Sequence, residues 1–119
     1  MQRDEFLTGY HNASETLNKT WVNSVLTKAD DIGMRFYEQR GHENLIIDME
    51  EMAELSQEIS KHIRGKGDRY SLLEEMADVQ ICLYHLQNLY NISNEELNKA
   101  INVKISRCAG RLRQLEKEQ

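Results

Sequence analysis

Two short stretches hold the residues best equipped for chemistry: Glu50-Glu51-Met52-Ala53-Glu54 and Glu75-Met76-Ala77-Asp78. Each offers carboxylates three residues apart, Glu51 with Glu54 and Glu75 with Asp78. On a helix, side chains at i and i+3 are surface neighbours, so each pair converges on one point. If the two helices pack antiparallel, the pairs face each other and Glu51, Glu54, Glu75 and Asp78 surround one site. Two like unit charges about 4 Å apart repel by about 4 kcal/mol at an effective dielectric of about 20. Such a group therefore holds protons or a cation. A donor set of carboxylate oxygens alone, without His or Cys, selects a hard divalent ion, Mg²⁺ or Mn²⁺. Acids on ordinary solvated helix faces are the plain alternative. Two details weigh against it: the acids border the apolar stripe of each helix, and no Lys or Arg stands between Asp48 and Glu58 or between Ser71 and Leu89.

The elements that must position these acids are legible as helices. The chain contains no proline and is rich in Glu, Leu, Lys, Gln and Met, which favours helix over sheet. Residues 1–13 read as a polar lead-in. A first helix is expected from Ser14, with Leu17, Trp21, Val25, Ala29, Ile32 and Phe36 at spacings of three or four, ending at Gly41. Trp21 reads as a core or interface residue before a base-stacking one. A second helix is expected over Glu43–Arg64, with Leu45, Met49, Met52, Leu55, Ile59 and Ile63 as its stripe. The turn Gly65-Lys66-Gly67-Asp68-Arg69 stops it. A third helix opens with Ser71 as cap and Glu74 completing a capping box, and Asn91 suits its left-handed end. A second capping box, Ser93 to Glu96, starts a fourth helix that runs to the end. The fold expected is all-α, a four-helix bundle in a single domain over residues 1–119.

Composition narrows the function. A net charge of −5 on 119 residues argues against a general nucleic-acid binder. No apolar run approaches a membrane span and the N-terminal stretch carries no signal-peptide segment, so a cytoplasmic protein is expected. Cys82 and Cys108 lack metal-type spacing and are expected to be reduced and packed. The cluster Lys61, His62, Arg64, Lys66 and Arg69 reads first as a solvated helix end, and His85 as a satisfied bundle histidine. Four amphipathic helices in so short a chain leave apolar surface for a partner, so a homodimer or homotetramer is expected.

The string Asp48-Met49-Glu50-Glu51-Met52-Ala53-Glu54-Leu55, followed by Leu73-Glu74-Glu75-Met76-Ala77-Asp78-Val79, resembles the paired acidic motif of the all-α nucleoside-triphosphate pyrophosphohydrolases typified by the MazG family. The likeness extends to Ile63-Arg64-Gly65-Lys66 and to Lys104-Ile105-Ser106-Arg107, about residues 40–115 in all. It implies Mg²⁺-dependent cleavage of a nucleoside triphosphate to the monophosphate and pyrophosphate. It further implies Glu51, Glu54, Glu75 and Asp78 as metal ligands, Glu50 as the residue that orients or deprotonates the attacking water, and Lys104 and Arg107 as contacts to the triphosphate. Cys108 departs from the pattern, standing where longer members often carry a second arginine. Relatives with the same motif include phosphoribosyl-ATP pyrophosphohydrolases and dimeric dUTPases. A non-catalytic helical interaction protein is the alternative from another class. A di-iron bundle is disfavoured because the chain has no Glu-x-x-His.

Overall fold

The computed structural model describes residues 3–12 and 31–119, and every element among them is helical. They are α1 (Arg3–Asn12), α2 (described over 31–40), α3 (His42–Ile63), α4 (Arg69–Leu89) and α5 (Asn94–Glu118). Ser14, Leu17, Trp21, Val25 and Ala29 of the expected first helix lie outside the described residues. No described helix is long and apolar enough to cross a membrane. The chain divides into two compact units, Met1–Leu86 and Gln87–Gln119.

In the first unit the lead-in differs from expectation: residues 3–12 are helical. Asp4 and Glu5 sit in the first turn and His11 in the last, the charge order that complements the helix dipole. Phe6 and Tyr10, one turn apart, stack at 6.1 Å, and Tyr10 meets Tyr70 at the start of α4 edge-on at 5.9 Å. That aromatic contact gives a polar segment an apolar reason to order. Gly41, at φ 61, ends α2 where a side chain would be strained, as the sequence reading placed it.

α3 ends in a Schellman motif: Gly65 adopts φ 73, Lys66 N–H donates to Lys61 O at 2.8 Å and Gly65 N–H to His62 O at 3.1 Å. The cap of α4 is Asp68 rather than Ser71. Its Oδ2 accepts from Ser71 N–H at 2.9 Å and from the Ser71 hydroxyl at 3.1 Å, and α4 begins two residues earlier than expected. Aspartate competes well with serine for this position because its charge also meets the helix dipole. Cross-helix partners Asp48–His85, Glu51–Asp78 and Glu54–Glu75 rise in one helix as they fall in the other, so α3 and α4 form an antiparallel hairpin.

The basic turn is largely consumed by local contacts. Lys61 pairs with Glu58 at 3.5 Å, Arg64 Nε donates to Ser60 O at 3.3 Å, and the His62 ring bonds Asp68 O at 3.1 Å. In the second unit, Asn91 takes the left-handed position at φ 56. Ile92 N–H donates to Gln87 O at 2.8 Å and Asn91 N–H to Asn88 O at 3.3 Å, a second Schellman motif. Ser93 caps α5, its Oγ accepting from Glu96 N–H at 3.1 Å as the capping box requires. Cys82 and Cys108 are free thiols, but only Cys82 is packed; Cys108 is exposed on α5, which buries no residue.

Candidate functional site

The α3–α4 hairpin brings Glu51, Glu54 and Glu75 together, with one carboxylate oxygen of each lying within 4.8 Å of the others. Asp78 adjoins the trio through a hydrogen bond with Glu51. The helical repeat explains the register. Asp48, Glu51 and Glu54 on α3 and Glu75, Asp78, Cys82 and His85 on α4 recur every three or four residues, so each set lines one stripe.

The electrostatics are those of crowded acids. Burial, followed by the charges of Asp78 and Glu54, pushes the Glu51 carboxyl from 4.5 up to about 7. Burial, then Glu54 and Asp78, pushes Glu75 likewise up to about 7. Burial also raises Asp78, while the bond from Glu51 works against the rise. Glu51 shares a hydrogen bond with Asp78, and Glu75 one with Glu54, and each bond favours the protonated form of the first-named acid. A divalent cation would compete with protons for these oxygens.

The donor set suits such a cation. It consists of carboxylate oxygens from two facing helices, and Glu75 Oε2 is buried without a hydrogen-bond partner among the described residues. A buried carboxylate oxygen left unpaired is costly unless something electropositive meets it. Glu54 is exposed, which opens one side of the cluster to solvent and to oxygen ligands from a substrate. Hard divalent ions with retained open positions fit this arrangement.

The remaining sequence candidates are placed elsewhere. Glu50 is exposed and outside the trio. Lys104 and Arg107 are exposed one turn apart on α5, in the second unit.

The structure also joins residues that the sequence left unconnected. His85 is only 2% exposed, and its Nδ1 bonds Asp48 Oδ2 at 2.8 Å. Cys82 bonds the same carboxylate, and burial foremost pushes its thiol up to about 12, so it is an inert packing group rather than a nucleophile. The expectation of a satisfied histidine holds for one ring nitrogen only: Nε2 is buried and has no partner among the described residues. The signal was available in the spacing, because Asp48 stands three residues before Glu51 and His85 seven after Asp78. Both continue the stripes that carry the acids.

A cleft of about 290 Å³ opens beside the acids, bordered by α2, α3 and α4. Ile32, Phe36, Ile47 and Ile81 give it apolar walls, and Glu51 and Asp78 reach its edge. Compared with known proteins, the chain matches no family model, no curated protein and no solved structure.

Proposed function

We propose that this chain is a Mg²⁺-dependent nucleoside-triphosphate pyrophosphohydrolase that cleaves between the α and β phosphates to give a monophosphate and pyrophosphate. The observation that carries this reading is the convergence of Glu51, Glu54 and Glu75 from two helices, their oxygens within 4.8 Å, with no Lys or Arg among their sequence neighbours. Together with Asp78 they would hold Mg²⁺, or Mn²⁺ in its place. Bound there, the ion would polarise phosphate oxygens and offset the charge that builds on them. Phosphoryl transfer demands positioning and charge neutralisation more than covalent help, which suits a site without an available nucleophilic side chain.

Glu50 is assigned to orient or deprotonate the attacking water, and its solvent exposure supports access to that water. Lys104 and Arg107, exposed on one face of α5, are assigned to the triphosphate. The bundle is of the MazG-like type that the acidic motif resembles, and the protein acts in the cytoplasm as a homodimer or homotetramer. Exposed Ile101, Ile105, Leu112 and Leu115 along α5 support association.

The test is a panel of ribo- and deoxynucleoside triphosphates incubated with Mg²⁺, with products identified. At least one should yield a monophosphate plus pyrophosphate. Orthophosphate plus a diphosphate, or no product from any triphosphate, would overturn the assignment.

A further inference from the structure

The acids account for a cation that would meet a triphosphate's charge, but not for the cleft beside them. Its lining combines acidic, apolar and polar side chains. Glu51 and Asp78 reach it from the cluster, Ile32, Phe36, Ile47 and Ile81 wall it, and Arg40, Asn44, Asp48 and His85 are its polar points. Ligand sites commonly pair apolar walls with a few fixed hydrogen-bonding groups, and this volume is near the lower limit of roughly 300 Å³ for small-molecule pockets. It suits a planar ring system better than a whole nucleotide.

His85 is the fixed group. A carboxylate oxygen accepts, so the bond to Asp48 assigns a ring proton to Nδ1, and in that imidazole tautomer Nε2 carries the acceptor lone pair. Asp48 also receives the Cys82 thiol, and the Tyr37 ring stands 6.3 Å from the imidazole, so the ring is held from several sides. Nε2 is nonetheless buried and unpartnered among the described residues, on a residue that lines the cleft. α2 makes room for the ring with a glycine: a Cβ at Gly33 would come within 2.9 Å of His85 Cδ2. Phe36, one turn further along α2, carries the Arg40 guanidinium 4.4 Å from its ring centroid, and both line the cleft.

We propose that this cleft is the nucleobase subsite, resting on the pyrophosphohydrolase reading above, and that His85 Nε2 accepts a hydrogen bond from a ring or exocyclic N–H of the base. The base lies between the apolar walls with its phosphates directed at the acids. Bases that present an N–H to Nε2 are selected over isosteres that present only acceptors, because a buried acceptor facing another acceptor remains unsatisfied.

Nucleoside monophosphates, titrated in EDTA without divalent metal, test the cleft separately from the reaction. Calorimetry reads affinity and imidazole ¹⁵N spectra read His85. At least one monophosphate should bind and shift the Nε2 resonance. His85→Asn keeps a donor near Asp48 and deletes the Nε2 acceptor; it should weaken binding about tenfold. Gly33→Ala favours the helix intrinsically yet displaces the ring, so weakened binding in a variant with an unchanged circular-dichroism spectrum reports the cleft and not unfolding. Failure of every monophosphate to move the Nε2 signal, or wild-type affinity in both variants, overturns the subsite. Pyrophosphate release in the face of either result leaves the reaction standing and the subsite rejected. Binding at His85 with no triphosphate hydrolysed supports the cleft and rejects the reaction.

Discussion

The α3–α4 hairpin and α5 are both long, charged helical segments, yet they treat charge in opposite ways. The hairpin buries Asn44, Asp48, Glu58 and His85 along with Cys82, and gathers Glu51, Glu54, Glu75 and Asp78 with no Lys or Arg among their sequence neighbours. α5, the longest described helix at 25 residues, buries nothing, mixes acids with bases, and leaves large aliphatic side chains exposed. A helix hairpin built for stability alone would bury aliphatics and expose acids. Polar burial in the hairpin is a cost that a bound ligand can recover, whereas apolar exposure on α5 is one that a protein partner can recover. The first pattern points to chemistry and the second to association.

The sharpest test of this contrast is activity. Glu54→Gln and Asp78→Asn should each lower pyrophosphate release by about two or more orders of magnitude, because charge stabilisation at the phosphates is lost. Near-wild-type rates in both would return the acids to the status of plain surface and erase the distinction from α5.

Stability should respond next. Wild type should melt higher on adding Mg²⁺, since a ligand at about 100 times its Kd adds about 2.7 kcal/mol to a fold that alone binds it. The same two variants should start higher by about 1 kcal/mol, through relief of repulsion, and gain less from the ion. Equal Mg²⁺ shifts in all three proteins would sink the four-carboxylate site.

The pH dependence of the metal-free protein follows from Glu51 and Glu75, which hold protons to about 7 when folded against 4.5 in the free side chain. Between those values the folded chain binds more protons than the unfolded one. Their contribution is therefore full below about 4.5 and lost as pH rises through about 7. Melting temperature in EDTA should decline across that window more steeply for wild type than for Glu54→Gln, and saturating Mg²⁺ should remove the decline. Parallel profiles for the two proteins would show that the acids do not interact.

The smallest effect is expected on α5. Ile105→Gln should change the stability of the isolated subunit by less than about 0.5 kcal/mol, as for an exposed position without a partner. Light scattering should nonetheless read a multiple of 14.0 kDa for wild type at micromolar concentration and a lower mass for the variant. A wild-type mass of 14.0 kDa would leave the α5 stripe without the partner assigned to it.

Much of this architecture was legible because helical signals are local. Gly65, Asn91 and the Ser93–Glu96 box each act within a few residues, and each stands where the sequence reading put it. The acid pairs were legible for the same reason, since i and i+3 is itself a local rule. What escaped depends on packing between segments. α1 owes its order to Tyr70, sixty residues away in sequence from Tyr10. Asp68 displaced Ser71 as a cap by a choice between two adequate residues. Spacing puts Asp48 and His85 on the stripes that carry the acids, but their bond to each other and the accommodating Gly33 arise only when α2, α3 and α4 meet.

The tight turn between α3 and α4 has a consequence for how the site comes into being. Asp48 and His85, the outermost members of the polar constellation, are 37 residues apart, and the acids between them are closer still. Closing so short a loop carries a small entropic cost, and contacts of low sequence separation are among the first a chain can form. A nascent chain therefore has its whole set of carboxylates in hand once the hairpin emerges, before α5 has been synthesised. A divalent ion held by them at that moment would act on folding, drawing the two helices together from the inside.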